Sequence, residues 1–162
     1  MKSDKSLTID DIKKKYSYKI DPLDLIFTAR IKYGFLYGRF LDRFEEYKFE
    51  ENIKEIKNII INKEDKIPKN VLDSSKKIIE DISDGCQEIR KKVDSDYDEI
   101  TPILSAISSD YKKNKDKPGA AEIYQKIGKE LLDKEINIFI QYEKMLINYD
   151  DYIINIKKNL TN

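Results

Sequence analysis

DPLDLIFTARIKYGFLYGRFLDRFEEYKFEENIKEIKNIIIN, residues 21–62, is the stretch whose reading decides the fold. Asp21 is an N-cap residue and Pro22 follows it at the first helical position, where a fixed φ and a missing N–H are tolerated. Downstream, Phe27, Ile31, Gly34, Gly38, Leu41, Phe49, Ile53, Ile56 and Ile60 hold one phase of a 3.6-residue period, with Glu45 the dissenting position. That phase predicts a helix of roughly 40 residues, about 60 Å long at 1.5 Å rise per residue. Gly34 and Gly38 sit on this stripe four residues apart, so they are expected to mark the tightest helix crossing, where small residues let another helix approach.

The remainder of the chain repeats this plan without repeating a sequence motif. Residues 62–68 are charged and aperiodic, which reads as a loop, and Pro68 opens the next segment. Its stripe runs Val71, Ser75, Ile78, Ile82, Cys86, Ile89, Val93, Tyr97, Ile100, Leu104, Ile107 and Tyr111, crossed by Thr101-Pro102, where a kink or a restart is expected. NKDKPG, residues 114–119, reverses the chain again. The last stripe keeps Ala120, Tyr124, Ile127, Leu131, Ile138, Tyr142, Met145, Tyr149, Ile153, Ile156 and Leu160 in register. The β-prone runs 59–61 and 136–140 lie inside helical stripes and are read as helix.

Three similar lengths joined by short loops predict an all-α fold: an elongated antiparallel bundle of three long helices in a single domain, residues 1–162. A short N-terminal helix is added, capped by Thr8 and ending near Ser17, with Ile9, Ile12 and Tyr16 on one face. Breaks at Lys48, Pro102 or Glu135 would convert the same residues into four or five helices.

Composition excludes more than it suggests. Lys plus Arg equals Asp plus Glu at 31 each and the signs alternate, so no stripe for a polyanion stands out. No run of residues resembles a signal peptide or a membrane span, and the address expected is cytoplasmic, with a secreted or surface location as the alternative. Histidine is absent, which removes the commonest general base and metal ligand. Cys86, the lone cysteine, lies on an apolar stripe with no histidine to activate it. DSDYDE, residues 94–99, superficially resembles a calcium loop but lacks the sixth-position glycine and has Ser105 where the twelfth-position glutamate belongs. No glycine-rich phosphate loop follows a strand. The expectation is therefore no catalytic residue, no cofactor and no metal.

One segment departs from a plain bundle. Residues 33–49 carry Tyr33, Tyr37, Phe40, Phe44 and Tyr47 as a second ladder beside the glycine-bearing stripe, and three of the four arginines fall in or next to it. Burial between helices accounts for such an apolar circumference; a contact surface does so as well, since tyrosine and arginine are favoured interface anchors. The partner-binding residues expected are Arg30, Tyr33, Tyr37, Arg39, Phe40, Arg43, Phe44 and Tyr47. The function expected is a non-enzymatic protein-protein interaction module, its partner another protein or a second copy of the chain. The alternative is a helical protein associated with a membrane surface, and a nucleic-acid-associated subunit is the weaker third reading.

Overall fold

A computed structural model describes residues 22–161; the short helix expected over residues 8–17 and the Asp21 cap lie outside the described residues. The chain forms α1 (Pro22–Glu46), α2 (Phe49–Lys63), a 3-10 turn (Glu64–Lys66), α3 (Lys69–Asn114) and α4 (Ala120–Thr161), and the described residues contain no strand. Side-chain pairs fix the directions. Ser108 donates to the Ile26 carbonyl, Tyr37 to Asp94 and Arg90 to Glu45, so α3 descends as α1 ascends. Phe40 meets Tyr142 and Lys157 reaches Asn52, so α4 ascends beside α1 and α2. The result is an up-down-up bundle of three long arms, the first of them bent.

The bend is at Lys48. Its φ of 51° and ψ of 44° are left-handed, a conformation costing a non-glycine residue roughly 1–2 kcal/mol. Tyr47 N and Lys48 N bond back to Phe44 O and Glu45 O at 3.3 and 3.2 Å, closing α1. Asn52 Nδ2 donates to the freed Tyr47 carbonyl at 3.0 Å, and Asn52 N bonds to Lys48 O at 2.9 Å to open α2. One left-handed residue rotates everything before it relative to everything after it. In α2 the expected residues Phe49, Ile53, Ile56 and Ile60 are buried, whereas in α1 the core takes Ile26, Ala29, Tyr33, Leu36, Phe40 and Arg43, followed by Tyr47 at the bend.

This corrects the reading of the glycines. A Cβ built on Gly34 or Gly38 meets nothing within 4 Å, so neither marks a crossing among the described residues. The close approach is at Gly85 in α3, where an added methyl would stand 2.8 Å from Tyr149 Cζ and nearer still to its hydroxyl.

α3 runs through Pro102 without the expected restart. Thr101 Oγ1 donates to Tyr97 O at 2.8 Å, and Pro102 and Asp98 both stand on the exposed face, so the carbonyl deprived of its donor is on the solvent side. The α3 stripe is otherwise as expected, with Ser75, Ile82, Cys86, Ile89, Val93, Leu104 and Ile107 buried. In α4 the two ends keep the expected stripe, with Ala120, Ile153, Ile156 and Leu160 buried, but between them the core is turned: Ile127 and Met145 are exposed, and Leu132, Glu135, Phe139, Glu143, Leu146 and Asp150 point inward. Three acids on the core line hide it from an apolar period.

Candidate functional site

The eight residues expected to form one partner face are divided by α1. Tyr33, Phe40, Arg43 and Tyr47 lie inside the bundle, Tyr37 and Phe44 are half-buried, and only Arg30 and Arg39 are exposed. The helix thus has an inner, chemically specific side and an outer, open one.

On the inner side, rings from all four helices form a continuous ladder. Tyr37 stacks on Tyr97 at 4.3 Å, Phe40 packs on Phe139 at 5.3 Å, Phe44 meets the edge of Phe49 at 6.2 Å, and Tyr47 stacks on Phe49 at 5.0 Å. Tyr37 also donates to Asp94 Oδ1 at 2.7 Å. That bond first, then burial and the Asp94 charge, push the phenol up to about 12. Asp94 is thereby engaged as a partner of α1, and the acidic run 94–99 continues as ordinary helix.

Arg43 and Glu143 form a wholly enclosed ion pair, their side chains 1% and 0% exposed. Arg43 Nε donates to Glu143 Oε2 at 3.1 Å and stands 2.9 Å from Oε1, while Nη2 donates to Tyr47 Oη at 3.4 Å. The guanidinium carbon is 5.5 Å from the Tyr47 ring centre, and Nη1 reaches the more exposed Glu46 at 3.7 Å. Burial, followed by the Glu143 charge, raises the Tyr47 pKa despite the opposing effect of Arg43. Removing two charges from water consumes much of their attraction, so the pair contributes register between α1 and α4 more than net stability. Its geometry is that of a lock, closed to any substrate.

On the outer side, Phe27, Ile31 and Phe35 are 53%, 59% and 63% exposed. At 100° per residue they share a face with Gly34 and Gly38, opposite Ala29, Leu36, Phe40 and Arg43. Phe27 touches only the rim of the bundle, edge-on to Tyr111 at 5.7 Å. The glycines leave a shallow track beside the aromatic ridge, and Arg30 and Arg39 stand on its two flanks. These three apolar residues escaped the expected site although two of them, Phe27 and Ile31, were visible in the sequence: they belong to the stripe taken for core.

Catalytic provisions are sparse. Among the described residues no three His, Cys, Asp or Glu side chains are placed to hold a metal ion. Burial pushes the Cys86 thiol up to about 12, which keeps it protonated and a poor nucleophile. A groove between α2 and α3 has a floor of Ile60 and Ile79 under Lys57, Lys76, Glu80 and Asp84, a rim of both signs open to solvent. No helix among the described residues is long and apolar enough to cross a membrane. No family model matches the chain, and no curated protein or solved structure does.

Proposed function

We propose that the protein is a non-enzymatic binding module that receives another protein on the outward face of α1. The observation that carries this reading is the ridge of Phe27, Ile31 and Phe35 beside the Gly34–Gly38 track, exposed on a helix whose opposite side is already committed to the core. Large apolar side chains grouped on one exposed face mark interaction surfaces more often than scattered ones do. The glycines add shape: without side chains there, a partner helix can lie close to the α1 backbone, as small-residue faces permit. Covering three side chains that are about half exposed contributes roughly 2–5 kcal/mol. Micromolar affinity requires about 8 kcal/mol, so the flanking arginines and close fit supply the remainder.

The test compares three forms of the chain as baits in an extract of the source organism: wild type, the combined Phe27→Ser, Ile31→Ser, Phe35→Ser variant, and a control carrying Ile61→Ser and Ile154→Ser. All five positions are exposed, so the fold should persist, which circular dichroism verifies. A protein retained by wild type and control but lost from the α1 variant supports the reading. Equal retention by all three overturns it. The flanks of the same ridge favour one second reading, a membrane-surface helix, because aromatic residues between Arg30, Lys32 and Arg39 also suit an interfacial face. Sedimentation with anionic liposomes, lost in the α1 variant, would select that alternative.

A further inference from the structure

Glu135 is 3% exposed and Tyr33 is wholly buried, and neither Glu135 Oε2 nor Tyr33 Oη has a hydrogen-bond partner among the described residues. The two groups lie within electrostatic reach of each other, in the layer where Tyr33 packs on Tyr97 at 5.9 Å and on Phe139 at 6.1 Å. A buried polar atom without a partner calls for an explanation, and two in one layer call for a common one. The ionisable groups facing this layer are Tyr33 from α1, Asp96 with Lys92 and Glu99 from α3, and Lys134 and Tyr142 from α4. Lys92 is paired with Glu88 at 3.0 Å, Lys134 is exposed, and half-buried Asp96 adds a like charge.

We infer that Glu135 is a proton-controlled joint of the bundle, packed between α1 and α3 as the neutral acid and loosening that layer when it ionises. Burial first and the Asp96 charge second hold its carboxyl above the ordinary range, against the smaller opposing pull of Lys134. Asp96 is shifted the same way, by burial and then by Glu99. The direction of the effect follows from linkage. Below the ordinary value of 4.5 the folded and unfolded chains both hold the proton and stability is full. As pH rises above that value the unfolded chain releases the proton first, so the unfolding constant grows by up to about tenfold per pH unit for one such group. The growth stops once the folded carboxyl has ionised too. The bundle is therefore tightest in acid and slackens toward neutrality at the layer directly behind the outward face of α1.

The experiment is urea unfolding of the full chain between pH 4 and pH 8, for wild type and Glu135→Gln. Glutamine keeps the shape and cannot ionise. The variant is expected to lose most of the rise in unfolding constant with pH and to exceed wild type in midpoint at neutral pH. Parallel pH profiles for the two proteins would overturn the inference. A second readout needs no variant: the carboxyl carbon of Glu135, followed by NMR in wild type, should titrate above 4.5. A midpoint at or below that value would overturn the inference equally.

Discussion

Removing Arg43 or Glu143 singly should be among the most damaging changes the chain can suffer, while replacing both should be nearly harmless. The two side chains are enclosed and in contact at 2.9 and 3.1 Å, so Arg43→Ala takes from the Glu143 carboxylate, and Glu143→Ala from the Arg43 guanidinium, a charge partner held out of water. Breaking a buried pair in this way costs about 3–5 kcal/mol, against a total stability of roughly 5–15 kcal/mol for a domain. At about 2–4 °C per kcal/mol for a chain of this size, the midpoint should fall by roughly 6–20 °C. Arg43→Met with Glu143→Leu replaces the pair by apolar groups of similar volume and should lie within about 1–2 kcal/mol of wild type. Arg90 and Glu45 supply the control: their contact is also 3.1 Å, but their side chains are 44% and 71% exposed. Arg90→Ala should cost less than about 1 kcal/mol. Urea and thermal unfolding monitored by far-UV circular dichroism measure all four proteins. Single variants that cost no more than Arg90→Ala, or a double variant as damaging as the sum of the singles, would refute the reasoning.

Other consequences can be checked with the same methods. Gly38→Ala should stabilise the fold by about 1 kcal/mol, since nothing lies within 4 Å of the new methyl and alanine is the better helix former. Gly85→Ala should instead destabilise by about 1–3 kcal/mol, because the Tyr149 ring must move, and urea midpoints will show the opposite signs. The Tyr37 phenol should ionise near 12, seen as phenolate absorbance missing from Tyr37→Phe, and Asp94→Asn should move that midpoint back toward 10. Because the folded value is raised, the Tyr37 contribution to stability is full below pH 10 and is lost as pH climbs through about 12.

Where the sequence was legible, local pattern and tertiary packing agreed. α3 keeps its phase from Val71 to Tyr111 because every inward position is apolar or small, and even Pro102 falls on the outer side. α2 is legible for the same reason. The break at Lys48, one of those the sequence allowed, is real, and this lysine in left-handed geometry rotates α1 out of the phase that continues through α2. A single continuous phase put Phe27 and Ile31 on the main stripe, where they are in fact exposed, while the second ladder was open to burial or to contact, and for Tyr33, Phe40 and Tyr47 burial is the outcome. Of the eight residues expected to form a partner face, Tyr33, Phe40, Arg43 and Tyr47 are inside the bundle, and the exposed apolar side chains of that helix lie on its opposite side. α4 was misread because Glu135, Glu143 and Asp150 occupy the core line. Arg43, the partner of Glu143, lies 100 residues away, and no local period records a pairing at that distance.

The orientation of α1 is what both the ion pair on its inner side and the docking surface proposed for its outer side require. Ala29→Cys and Ile31→Cys place a small thiol two positions apart, at a residue 1% exposed and at one 59% exposed. Native Cys86, buried, serves as the internal reference. Timed alkylation of the folded chains should modify Cys at position 31 at the rate of a free thiol, with position 29 and Cys86 reacting only through rare opening. Equal rates at the two positions, or faster reaction at position 29, would mean that α1 presents a different face to solvent.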